Sequence, residues 1–126
     1  MTEKAKVRYI VSDVPAAVEF YRGLLGFQVD MQFGAGFAML SKGPLQLLMN
    51  APGAGGAGAA MPDGALPQPG GWNRIQIDVE DLDSRVGELR QAGATFRNQI
   101  VQGNGGRQIL VEDPSGNLIE LFEPRA

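Results

Sequence analysis

Hydrophobic and polar residues alternate along several short stretches of the chain, and two longer stretches have the spacing of a helix. Lys6 to Val11 alternates, which predicts a half-buried strand. Asp13 and Pro15 are typical of a helix start, and the apolar positions that follow recur until Gly26. Three further strands are predicted over 27–33, 37–40 and 45–49. The first part of the chain therefore has the order βαβββ.

The same order returns after residue 71. Trp72 to Val79 alternates, a helix begins after Asp81 and ends at Gly93, and strands are predicted over 94–97, 108–111 and 118–122. V-x-Y-x-V-x-D from residue 7 matches I-x-I-x-V-x-D from residue 75. This internal repeat predicts two βαβββ modules, residues 1–50 and 72–126.

The segment between the modules, residues 51–71, is rich in Gly, Ala and Pro and shows no periodicity. We interpret it as a linker. Because it is longer than most passive connections, a lid over a pocket is the alternative interpretation.

A single carboxylate stands out in the last predicted hairpin. The turn Glu112 to Asn117 contains Pro, Gly and Asn, which favour chain reversal, and we assign its Asp113 to the turn. In the strand that follows, Glu120 lies between Ile119 and Leu121 and is expected to face the opposite side of the sheet.

Composition and charge exclude several classes of function. The chain has 126 residues, a net charge of −3 and neither Cys nor His. No basic cluster is present to neutralise phosphates, so nucleic acid is an unexpected partner. Because Cys is absent, thiolate chemistry and Cys-ligated metals are excluded. His is also absent, and it is the commonest catalytic base and metal ligand. No stretch has the composition of a membrane span, so we expect no membrane contact and a cytoplasmic location.

Three segments together resemble the vicinal oxygen chelate superfamily, which includes glyoxalase I, extradiol dioxygenases and the fosfomycin- and bleomycin-resistance proteins. The segments are VRYIVSDVPAAVEFYRGLLGF from residue 7, RIQIDVEDLDSRVGELRQAGA from residue 74 and EDPSGNLIELFEP from residue 112. The resemblance implies an α+β fold in which two βαβββ modules, each with a curved mixed sheet, form a ligand cleft. It also implies a homodimer, in which two chains sometimes exchange modules.

The resemblance implies four positions for the metal ligands of the enzymes. They fall on Lys6, Leu47, Arg74 and Glu120, of which only Glu120 is a ligand type. Because a divalent cation needs several donors and is repelled by Lys and Arg, we expect no metal and no other cofactor. Arg74 is instead the expected ion-pair partner of Glu120. A Mg²⁺ or Mn²⁺ site that combines Asp78 with Glu120 stays open.

Without the metal, the expected function is binding of an aromatic or peptidic natural product, similar to the sequestering bleomycin-resistance proteins. The predicted ligand-binding residues are mostly apolar, with a few polar groups. They are Arg8, Phe33, Phe37, Met39, Leu47, Met49, Trp72, Arg74, Gln76, Arg107, Ile109 and Glu120. The alternatives are a glyoxalase-like lyase or ring-cleaving dioxygenase with Glu120 as base or ligand, and a structural or regulatory module with a vestigial cleft.

Overall fold

The computed structural model describes residues 2–126. These residues form two compact units, of which the first ends at Gly70 and the second comprises Gly71–Ala126. The helices and strands follow one another in the order that the sequence predicts. They are β1 (Val7–Ile10), α1 (Val14–Gly23), β2 (Gln28–Phe33), β3 (Phe37–Lys42), β4 (Leu45–Asn50), β5 (Arg74–Asp78), α2 (Leu82–Gln91), β6 (Thr95–Phe96), β7 (Val101–Gln102), β8 (Gly106–Glu112) and β9 (Leu118–Pro124).

The first unit is a four-stranded mixed sheet with one helix on it. The strand order is β1-β4-β3-β2, with β1 parallel to β4 and the other pairs antiparallel. Helix α1 begins where the sequence predicts, because the Asp13 side chain accepts a hydrogen bond from the Ala16 amide at 3.0 Å. Pro15 lies in the first turn, where its missing N–H costs nothing.

The core of the first unit lies between α1 and the sheet and is built around one tyrosine. Tyr21 is fully buried, and its ring meets those of Tyr9, Phe20 and Phe27 edge to face at centroid distances of 6.5, 5.1 and 5.4 Å. The contact with Tyr9 shows which side of β1 faces the helix. The opposite side of the sheet is called here the helix-free face of the first unit.

The second unit repeats this arrangement. Its strand order is β5-β9-β8-β6, with β5 parallel to β9. The short strands β6 and β7 both pair with β8, at its two ends, and so take the place of one interrupted strand. Helix α2 is capped by Asp81, which accepts from the Ser84 amide at 3.1 Å. The side of this sheet away from α2 is the helix-free face of the second unit.

Both units therefore confirm the predicted α+β fold of two βαβββ modules, each with a mixed sheet. Strand β7 is not predicted from the sequence, because it has only two residues and so short a run shows no alternation of apolar and polar positions. Within residues 2–126, neither helix has the length and apolar character that crossing a membrane requires.

The segment after β4 folds back on the first unit over residues 51–58. The Ala51 amide donates to the Gly36 carbonyl at 3.0 Å, at the tip of the β2–β3 hairpin. The Asn50 side chain donates to the Ala54 carbonyl at 3.2 Å. Gly58 is so closely surrounded that a Cβ there would lie 2.3 Å from the Ala51 oxygen. This part of the segment has defined backbone contacts, and its predicted roles as linker or lid stay predictions.

Candidate functional site

An ion pair between Arg74 and Glu120 occupies the helix-free face of the second unit. Glu120 is 9% exposed and lies opposite Gln76 in the parallel pair of β5 with β9. Its Oε1 accepts from Arg74 Nε at 3.1 Å and lies 3.0 Å from Arg74 Nη2. This confirms the predicted pair. Both Arg74 contacts fall on Oε1 of this nearly buried carboxylate, whose burial calls for such a partner.

Trp72 is joined to this ion pair through its backbone. Arg74 Nη1 donates to the Trp72 carbonyl at 3.2 Å, while the Trp72 side chain is 66% exposed. The guanidinium carbon of Arg97 lies 5.1 Å from the centroid of the indole ring. Arg97 is held by Glu112, whose Oε2 lies 3.1 Å from its Nε. The second unit thus presents one large aromatic ring between two arginine–glutamate pairs.

The helix-free face of the first unit is apolar and aromatic. Phe33 and Phe37 stack, with ring centroids 6.4 Å apart and an interplanar angle of 26°. Phe33 is 65% exposed, and Met39 lies half-buried opposite Leu48 of β4. These three predicted ligand-binding residues therefore lie together on one face, and their role in binding stays a prediction.

Arg8 lies on the same face and is engaged within the unit. Its Nη1 donates to Asn50 Oδ1, and the buried Asn50 amide in turn holds the Ala54 carbonyl. Asn50 is not among the residues predicted from the sequence. Its position at the end of a strand before a Gly-rich segment is a weak signal, because Asn is common at such places for turn reasons alone.

Leu47 and Met49, two of the predicted ligand-binding residues, do not lie on this face. Both are fully buried and point towards α1. The register pairs Tyr9 with Met49 and Arg8 with Leu48, so Leu48 is the β4 residue that shares a face with Arg8. Because side chains alternate along a strand, an error of one residue reverses the face of every side chain. The repeat therefore makes Leu48, rather than Leu47, the counterpart of Glu120.

Ile109 and Arg107, also predicted as ligand-binding residues, lie on the opposite side of their sheet from Glu120. Ile109 is fully buried opposite Leu121 on the α2 side of the sheet. Arg107 lies on that side too, with its Nη2 2.8 Å from an Asp83 oxygen and 3.2 Å from a Glu123 oxygen. Hydrogen bonds to these two carboxylates raise the pKa of Arg107. Arg107 thus holds α2 to the sheet and does not lie on the face of Glu120.

Glu123 completes the attachment of α2. Its Oε1 accepts from the Leu82 amide in the first turn of the helix at 2.9 Å. This hydrogen bond, together with those from Arg107, lowers the pKa of Glu123 below its ordinary value.

The residues present do not fit a divalent metal at the positions used by the enzymes that the chain resembles. With the register corrected, those positions hold Lys6, Leu48, Arg74 and Glu120, which offer one carboxylate and two cations. The carboxylate is already bound by Arg74. Nowhere in residues 2–126 do three or more acidic side chains gather into a group that would hold a metal ion.

Comparison with known proteins identifies the family. The model of the glyoxalase/bleomycin resistance protein/dioxygenase superfamily matches residues 5–121, and the chain belongs to this superfamily. No curated protein sequence matches the chain.

Solved structures with the same fold include a lyase and two antibiotic-binding proteins. Lactoylglutathione lyase from Agrobacterium tumefaciens is 18% identical, with a TM-score of 0.74 over 97% of this chain and 94% of the lyase. TnmS3, an antibiotic binding protein from Streptomyces sp. CB03234, is 24% identical, with a TM-score of 0.73 over 99% and 98% of the two chains. The bleomycin-binding protein of Streptomyces verticillus is 22% identical, with a TM-score of 0.64 over 99% and 100%. At these identities the likeness establishes the fold, and the function has to be argued from the site.

Proposed function

We propose that the protein binds an aromatic or peptidic natural product without a metal ion and so sequesters it. The observation that carries the proposal is the ion pair of Arg74 with Glu120, because it takes up the one carboxylate that stands at a metal-ligand position. Without a bound cation the fold retains a binding surface and lacks the Lewis acid of the related enzymes.

The aromatic side chains support a flat ligand. Trp72 and Phe33 are 66% and 65% exposed, and Phe37 stacks on Phe33. Large aromatic rings that stay exposed in a folded protein mark contact surfaces, because each leaves a wide apolar area in water. The proposed binding residues of the first unit, on its helix-free face, are Arg8, Phe33, Phe37, Met39 and Leu48. Those of the second unit, on its own helix-free face, are Trp72, Arg74, Gln76 and Glu120. Two of the structurally similar proteins bind antibiotics, which agrees with this proposal.

Trp72 is the only tryptophan, so its fluorescence reports on one place in the molecule. We would titrate the protein with bleomycin and with planar aromatic antibiotics, and follow binding in parallel by equilibrium dialysis. We expect saturation with a dissociation constant of about 1 μM or tighter. Mass spectrometry should recover the ligand unchanged after incubation.

Substitutions on the two faces test where the ligand binds. Trp72→Ala and Phe37→Ala should each weaken binding by about tenfold or more in dialysis, as the loss of an aromatic anchor does. Phe96→Ala is the matched control, because Phe96 packs under Arg90 of α2. Equal weakening in all three variants, or no binding of any compound in either assay, would contradict the proposal.

A lyase or dioxygenase reaction with Glu120 as general base is the second candidate. It is favoured by one observation, that Arg74 engages only Oε1 of this buried carboxylate. Glu120→Gln should then abolish turnover and leave the fold intact, whereas in a binding protein it changes affinity alone. Calorimetric titration of chelator-treated protein with Ni²⁺, Zn²⁺, Mn²⁺ and Fe²⁺ is the companion experiment. One tight site that is lost in Glu120→Ala would overturn the metal-free proposal.

The proposed assembly is a homodimer, as the resemblance implies. Sedimentation equilibrium tests it directly, and a monomer at all accessible concentrations would contradict it.

A further inference from the structure

The indole of Trp72 has one face against a cation. The Arg97 guanidinium carbon lies 5.1 Å from the ring centroid, while the side chain as a whole stays 66% exposed. Trp72 is 25 positions away from Arg97 in the sequence, so no local pattern brings the two together. The ring is therefore oriented by a tertiary contact and keeps a large area available to a ligand.

Arg97 is itself fixed in three places. Its backbone amide donates to the Leu110 carbonyl at 2.9 Å, its Nε donates to Glu112 Oε2 at 3.1 Å, and its Nη2 reaches the Gly116 carbonyl at 3.4 Å. The turn that carries Gly116 is rigid, because Asp113 accepts hydrogen bonds from the amides of Ser115 and Asn117 at 2.8 and 2.9 Å. A guanidinium held in this way presents a fixed plane to the indole.

The charges closest to Trp72 are positive. Arg97 touches its ring and Arg74 its carbonyl, whereas the carboxylates of Glu112 and Glu120 contact the arginines. The two arginines and two glutamates sum to zero, so this part of the surface is neutral with its cations nearest to Trp72, whereas the chain as a whole carries a net charge of −3. A charged ligand that approaches the indole therefore meets a different field from one that approaches the surface at large.

We propose that Arg97 determines the specificity of the Trp72 surface: by holding the indole on one face, it makes the other face select electron-rich or anionic planar aromatic ligands over cationic ones. This inference rests on the proposed function, since it names the class of ligand for the same site. A ring whose π electrons already attract one cation attracts a second more weakly, and the Arg97 charge favours an anion stacked beyond it. Solvent and the Glu112 partner reduce the effect to a selectivity of a few-fold.

Matched probes on one aromatic ring isolate the charge effect. Naphthalene-2-carboxylate and naphthalene-2-methylammonium differ in the sign of one substituent, and the single indole N–H signal in a ¹⁵N-labelled sample follows the binding of either. We expect the carboxylate to bind about three- to tenfold tighter than the ammonium, a range set by a half-exposed cation–π contact. In Arg97→Gln the ratio should fall towards one, and Arg97→Lys should keep part of it because the charge remains.

The matched control is Arg90→Gln. Arg90 stacks on Phe96 at 4.8 Å, so this variant removes the same charge and the same kind of contact away from Trp72. Its probe ratio should equal that of the unaltered protein. An equal fall in Arg90→Gln and Arg97→Gln would assign the selectivity to net charge and overturn the inference.

Collisional quenching tests the local charge without any ligand. We expect iodide to quench Trp72 fluorescence more strongly than caesium does, despite the negative net charge, and Arg97→Gln to reduce that preference. If the quenching preference is present but no natural product or naphthalene probe binds, the proposed function fails and the charge assignment stands. If the probes bind with equal affinity, or caesium quenches as well as iodide, the inference about Arg97 is wrong whether or not the protein is a binding protein.

Discussion

The strand pairs that correspond across the internal repeat carry different chemistry. In the first unit Arg8 lies opposite Leu48, whereas in the second unit Gln76 lies opposite Glu120. Around Leu48 the helix-free face is apolar, with the stacked pair Phe33 and Phe37. Around Glu120 the face combines the ion pair with Arg74 and two buried leucines, Leu110 and Leu118.

This difference shows that the fold depends on the helix side of each sheet more than on its helix-free face. The helix sides of both sheets are filled with buried apolar residues, from Tyr21 and Leu47 in the first unit to Leu82 and Ile119 in the second. The helix-free faces share strand order and register but not residue type. Because packing against the helix fixes the fold, the helix-free face is free to carry different side chains in the two units.

The largest expected effect is a difference in stability between substitutions on the two sides of the first sheet. Tyr21→Ala removes a fully buried ring that meets three other rings, and it should lower the free energy of unfolding by about 3–5 kcal/mol. Phe33→Ala removes a ring that is 65% exposed and should cost about 0.5 kcal/mol or less, while weakening ligand binding. Urea denaturation of both variants measures the contrast. Equal losses of stability would mean that Phe33 belongs to the core.

The next effect concerns residues 51–58, which have no counterpart in the second unit. A Cβ on Gly58 would lie 2.3 Å from the Ala51 oxygen and 2.5 Å from the Ala54 oxygen, whereas nothing lies within 4 Å of one on Gly56. Gly58→Ala should therefore destabilise this segment by about 1–3 kcal/mol, as forced overpacking does. Gly56→Ala is the matched control.

Hydrogen exchange gives the readout for the glycine pair. The amides of Ala51 and Ala54 are bonded to Gly36 and Ala51 respectively, so both should exchange faster in Gly58→Ala alone. Unchanged exchange would show that the segment accommodates the methyl group without opening.

Much of the fold was predictable from the sequence. Asp13 and Asp81 cap the two helices as predicted, and Gly26 and Gly93 adopt the positive φ values of 74° and 85° that helix ends favour. The pair of Arg74 with Glu120 was also predictable, because two opposite charges were expected on one face of neighbouring strands. The helix caps depend on local pattern alone, whereas the ion pair joins positions 46 apart on strands whose residues alternate clearly.

The wrong predictions concern strands in which only the register determines the face on which a side chain lies. The last strand of the first unit reads Leu-Gln-Leu-Leu-Met-Asn, which places apolar residues on both faces, so periodicity alone does not distinguish Leu47 from Leu48. In β8, Ile109, Leu110 and Val111 are consecutive and pose the same difficulty. The contact of Arg97 with Trp72 joins two distant positions and leaves no trace in a single sequence. Face assignment therefore fails where an apolar run is continuous and succeeds where residues alternate.

A smaller effect is expected when the helix-free face of the second unit is made apolar, like that of the first unit. Glu120→Leu leaves Arg74 without its carboxylate, and we expect a loss of about 1 kcal/mol in the free energy of unfolding, kept low because the Arg74 side chain is 30% exposed. The double variant Arg74→Met with Glu120→Leu should recover most of that loss, since an apolar pair of similar volume replaces the ions. Thermal unfolding of the single and double variants supplies the comparison. A double variant less stable than Glu120→Leu would show that the ion pair is needed for the fold itself.

The smallest expected effect is a pH dependence in the attachment of α2, for which α1 offers a contrast. Because the Leu82 amide and Arg107 lower the pKa of Glu123 below its ordinary value of 4.5, the folded state resists protonation of this group. The stabilisation is therefore present above about pH 4.5, where Glu123 is ionised in both states, and it is lost as the pH falls through the lower folded value.

Glu123→Gln should accordingly reduce stability near neutral pH, and the two stability curves should converge in acid. Urea denaturation at a series of pH values from neutral to acid follows this convergence. Glu19→Gln is the control, because it removes an exposed surface pair with Arg22 on α1 and no bond to a helix amide, so its curve should run close to that of the unaltered protein. If the gap between Glu123→Gln and the unaltered protein stays constant down to strongly acidic pH, then Glu123 acts through its shape and not through its charge. The attachment of α2 would then be a matter of packing, as it is for α1.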